Sequence, residues 1–169
     1  VPNPAIPRED VHRIAESCSA QGEAFRASAT RIARDQRPLV NFLKANFAQL
    51  NPHSAEVTLY MLTVSLRIVS EYGGRLNKVN ASAAQEAAAR ISRHIDQILP
   101  FDNTLPARVR QFEWRAQPHL LDEILWALYE KEDKAEDEIS LPPDQSGLVT
   151  LLLWACVEAI DAAWVAPKK

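Results

Sequence analysis

The stretch Leu151–Trp164, LLLWACVEAIDAAW, carries two charged residues, Glu158 and Asp161, in a run otherwise fit for a dry interior. It contains no glycine, no proline and no polar–apolar alternation, so it reads as a helix that is apolar nearly all round and therefore buried. The apolar run Leu148–Val157 is about half the length a membrane span needs, and two acids follow it. A core helix is the expected reading, with no membrane span.

A second stretch matches it. LYMLTVSLRIV, Leu59–Val69, is apolar on most faces and has Arg67 as its one charge. It belongs to a helix opened by Asn51-Pro52, a cap followed by a first-turn proline, and closed by Gly73-Gly74. These two helices, third and last of about seven, are expected to be central.

The remaining helices follow from prolines at the joints and helix formers between them. The chain has four glycines and eleven prolines. Arg8–Gln36 carries Val11, Ala15, Cys18, Gly22, Phe25, Ala29 and Ile32 at alternating spacings of four and three, and reads as one long helix unless it breaks near Gly22. Its small residues Ala15, Gly22 and Ala29 predict close helix packing. Further helices are expected over 37–50, over 83–99 behind a Ser82/Gln85 capping box, over 106–116, from Pro118, and from Asp144 to Val165. Residues 1–7 read as an extended segment and 131–143 as an acidic, proline-containing linker. The fold class is thus all-α, a single domain over residues 1–169.

Composition bounds the function. The 169 residues are 47% hydrophobic and 24% charged, with a net charge of -3. That balance argues against a dedicated nucleic-acid binder. Cys18 and Cys156 lie far apart in apolar surroundings and read as buried free thiols, which favours a reducing, cytoplasmic setting. No leader is visible, although the chain starts at Val1.

Catalytic signatures are missing from the sequence. It has no Walker loop, no dinucleotide fingerprint and no nucleophile elbow. One Glu-x-x-His spacing, Glu9 to His12, falls short of a di-metal set, and the four histidines are scattered. His119, Asp122 and Glu123 share a helix face, but acids in a first turn are explained by the helix dipole. No catalytic residue, metal or cofactor is assigned.

Two candidate sites remain. Glu158 and Asp161, three apart, share a face and need a partner, because an unpaired buried carboxylate is costly. Arg67 is the expected partner, and Tyr60, Arg67, Glu158 and Asp161 would bound a ligand site between the two apolar helices. RVRQFEWR, Arg108–Arg115, mixes Arg108, Arg110 and Arg115 with Phe112 and Trp114, a composition suited to a protein partner. Trp126 and Trp164 also lie outside the clearest core stripes. The favoured function is a non-catalytic protein-interaction module: an adaptor, regulator or immunity-type protein that binds a partner or itself. The alternative is a small-molecule binder or enzyme built around Arg67, Glu158 and Asp161.

Overall fold

The computed structural model describes residues 1–131 and 140–168. Nine α-helices are found among them: α1 (Arg8–Gln21), α2 (Glu23–Asp35), α3 (Arg37–Ala45), α4 (Pro52–Tyr72), α5 (Ala81–Ser92), α6 (Ile95–Ile98), α7 (Leu105–Val109), α8 (Pro118–Leu125) and α9 (Pro143–Ala163). The all-α class is as expected. Most of the proposed linker, residues 132–139, lies outside the described residues.

The helix count exceeds seven because two expected helices break: the one over 83–99 divides into α5 and α6, and the first divides at Gly22. Gly22 has φ of 53°, a left-handed conformation that only glycine adopts cheaply, and its amide bonds back to the Ser19 carbonyl at 3.3 Å. Gly22 is exposed, and a Cβ placed on it would meet nothing within 4 Å. It is therefore a bend and not the close helix contact its small size suggested. The buried seam is Val11, Ile14, Cys18 and Phe25.

α9 is the axis of the molecule. It packs between α5 and α4, with α8 against a third side. α4 lies in turn between α9 and the α1–α2 pair, and α8 bridges α1 and α9. The two apolar helices are central, as their patterns predict. By length and composition α9 would suffice to cross a membrane, but most of it is buried inside the protein. Both thiols are free and buried, and burial raises both above their ordinary range.

Local chemistry fixes the ends. Asn51 accepts the Ser54 amide at 2.8 Å with Pro52 in the first turn. α5 is capped by Asn80, which accepts the Ser82 amide at 3.0 Å, so it starts two residues before the expected Ala83. A short β1 (Arg75–Leu76) pairs antiparallel with β2 (Trp164–Val165), which no alternation in the sequence announced. Trp164 is core rather than surface: it is 4% exposed and its Nε1 donates to the Gly73 carbonyl at 3.0 Å. Near the start of α9, Gly147 lets Phe101 lie where a Cβ would be 2.3 Å from the ring.

Candidate functional site

Glu158 and Asp161 sit on the last turns of α9, 8% and 5% exposed. Neither pairs with Arg67. No Arg67 nitrogen lies within 4.0 Å of either carboxylate among the described residues. The Arg67 charge acts instead on Cys18 of α1. Tyr60 packs edge-on against Phe25 of α2, with ring centroids 5.7 Å apart. The four residues expected to converge are therefore split: α4 spends Tyr60 and Arg67 on the α1–α2 side, and α9 spends its acids elsewhere.

The partner of Glu158 is Arg90 on α5. Arg90 Nη2 donates to Glu158 Oε1 at 2.6 Å, and the Ala116 amide donates to Oε2 at 2.6 Å. Burial pushes the Glu158 carboxyl up to about 7, against the lowering pull of the Ala116 amide and Arg90. Asp161, the other acid on this face, pushes it further up.

Asp161 anchors the N-terminal segment. Its Oδ1 accepts Gln117 Nε2 at 2.9 Å and its Oδ2 accepts the Asn3 amide at 3.2 Å. Asn3 Nδ2 donates to the Asp161 and Trp164 carbonyls at 2.9 and 2.8 Å. Gln117 completes the strap: its Oε1 accepts the Ile6 amide at 2.9 Å and its Nε2 also donates to the Pro4 carbonyl at 3.0 Å. Gln117 has φ of 48°, a left-handed position held by these bonds. The two acids thus satisfy donors from non-helical chain that packs on α9, which is why a dry helix carries them.

Trp114 links this cluster to the core. It stacks on Trp154 at 5.2 Å between centroids with planes 17° apart, and the Arg90 guanidinium lies 4.5 Å over its ring. Phe112 and His94 pack on the same tryptophan.

The arginines of 108–115 are engaged within the protein. Arg108 bonds to the Ile98 carbonyl at 2.7 Å, and to the Pro100 carbonyl and Thr104. Arg110 pairs with Asp122 at 3.3 Å and Glu130 at 2.6 Å. Arg115 pairs with Asp122 at 3.1 Å. A third buried acid, Glu123, pairs with Arg8 at 2.5 Å and His12 Nδ1 at 2.8 Å. His12 also meets Glu16 at 3.0 Å and packs edge-on to the half-buried Trp126 at 5.2 Å. Asp122 and Glu123 therefore serve different partners, and His119 makes no metal group with them among the described residues.

Two clefts stand out, and both are open. One, of about 430 Å³, lies between α3 and the start of α5 and is lined by Arg37, Pro38, Asn41, Phe42, Lys78 and Gln85, among others. The other, of about 490 Å³, lies between α5 and the end of α9, with Arg90, Arg93 and Glu158 in its wall. Neither touches Arg67 or Tyr60. No protein-family model matches this chain, and neither a curated protein nor a solved structure matches it.

Proposed function

We propose that this chain is a helical interaction module that recognises another polypeptide through its surface. The observation that carries the reading is the open groove between α3 and α5. Pro38, Phe42, Ala45 and Ala81 give it apolar walls, and Arg37 and Lys78 add positive charge. An open, mixed groove of this kind suits an acidic segment with an apolar anchor. The rest of the site chemistry supports it: the buried carboxylates and the 108–115 arginines are engaged in bonds that hold the fold together.

Asn41 is exposed in this groove, so Asn41→Arg adds bulk and like charge there without touching the core. The test is native mass spectrometry of wild type and Asn41→Arg purified from the source cells, each followed by a denatured run. The expected result is added polypeptide mass, a second copy or another chain, on the wild type and its loss in Asn41→Arg. Protein-only monomer in both samples would contradict the reading. So would added polypeptide mass retained equally by Asn41→Arg.

A further inference from the structure

We propose that the cleft between α5 and the end of α9 binds a small oxyanion, carboxylate or sulfate-like, between Arg90 and Arg93, and that Glu158 takes up a proton as the anion enters. The site is separate from the α3–α5 groove and shares no lining residue with it.

The geometry begins with Arg90. Its guanidinium is fixed on two sides, by Glu158 Oε1 at 2.6 Å and by the face of Trp114 at 4.5 Å. Yet its side chain is 44% exposed, so part of the donor fork opens onto the cleft. A guanidinium held in place loses little freedom on binding an anion, and its planar fork matches an oxyanion. Arg93 lies one helical turn along on the same wall of the cleft. Ala83 and Ala87 provide small apolar surface beside them, room for the body of an organic anion.

Glu158 supplies the coupling. It competes with any anion for Arg90, and it sits where burial favours its neutral form near neutrality. With Glu158 ionised, the cleft wall holds Arg90 and Arg93 against Glu86 and Glu158 and is neutral overall. One proton on Glu158 releases Arg90 from its charge partner and leaves the wall with net positive charge. The other charged groups packed around Glu158 have partners of their own. Asp161 is held by Gln117 and Asn3, and Arg115 by Asp122 and the Phe112 carbonyl. His94 packs its ring on Phe112 and Trp114. The balance is one anion and one proton bound together, with no covalent change.

The experiment is a titration of the intact protein with sodium sulfate and, separately, sodium acetate, at about pH 6 and about pH 8 with ionic strength matched by chloride. Neither probe changes charge across that range. The readout is the ¹H–¹⁵N shift of the Ala116 amide and Arg90 Nε. Saturable shifts are expected with at least one probe, with Kd about tenfold lower at the lower pH, since a carboxyl titrating at about 7 is mostly protonated at about pH 6 and mostly ionised at about pH 8. Arg93→Ala, an exposed change, is expected to abolish saturation. Glu158→Gln is expected to keep binding and lose the pH dependence, its fold checked by circular dichroism. The proposal is overturned by linear, unsaturable shifts with both probes, or by Arg93→Ala binding like wild type. Equal affinity at the two pH values, or pH dependence that survives in Glu158→Gln, overturns the proton coupling.

Discussion

Glu158 of α9 and Arg90 of α5 meet at 2.6 Å, and the same carboxylate caps the Ala116 amide at 2.6 Å. One buried acid thus joins a central helix, a flanking helix and an irregular segment. Its ionisation should be visible in the stability of the whole protein.

The sign of that dependence follows from the direction of the shift. The folded carboxyl titrates at about 7 and an unperturbed one at 4.5. Between those values the folded protein keeps a proton that the unfolded chain has lost. The Glu158 contribution is therefore fully present below about 4.5, falls as pH rises, and levels off above about 7. The change across the window is on the order of 3 kcal/mol. Urea denaturation of wild type and Glu158→Gln across this range should show the difference between them moving by that order. A pH-independent difference would contradict the assignment.

Gln117 holds the N-terminal segment through Ile6, Pro4 and Asp161. Gln117→Ala removes all three bonds and leaves the Ile6 amide unsatisfied. The expected cost is about 2–4 kcal/mol, measured by denaturation. Hydrogen exchange at Ile6 should accelerate more than exchange at Leu62 in α4, because the strap opens before the core.

Two glycines predict opposite kinds of damage. At Gly147 an added Cβ would strike the Phe101 Cγ at 2.3 Å, so Gly147→Ala should cost about 1–3 kcal/mol, and less in a Phe101→Ala background that lacks Cγ and Cδ1. At Gly22 there is space, but φ is 53°. Gly22→Ala and Gly22→Asn should both cost about 1–3 kcal/mol, since ψ of -120° puts Gly22 outside the αL well that asparagine tolerates. Thermal melting of these variants separates steric overlap from backbone strain.

Cys18 and Cys156 are buried and their thiols are held above the ordinary range. A thiol reagent such as Ellman's should leave both unmodified in the native protein and label both after denaturation. Fast native labelling of Cys156 would contradict its place in the centre of α9.

The central helices were legible because their apolar pattern runs all round, and only an enclosed helix buries such a surface. The cap at Asn51 was legible because Asn-Pro is a local signal. The partner of Glu158 was not. Charge scarcity pointed to Arg67, the one cation on α4, but scarcity does not give azimuth, and the Arg67 charge acts on Cys18 of α1. Arg90 follows the alanine run of α5, where Ala84 and Ala87 are buried and permit close approach to α9. That run was the available signal, a small-residue face leading to a long cation. The strap of residues 3–6 on Gln117 had no local signature, since it depends on pairs more than a hundred residues apart.

The most direct test of this account is a pair of double-mutant cycles at about pH 8, where Glu158 is mostly ionised. One combines Glu158→Gln with Arg90→Met, the other Glu158→Gln with Arg67→Met, each read by urea denaturation. Coupling of about 1–3 kcal/mol is expected for Arg90 with Glu158 and close to zero for Arg67 with Glu158. Coupling that belongs to Arg67 and not to Arg90 would contradict it.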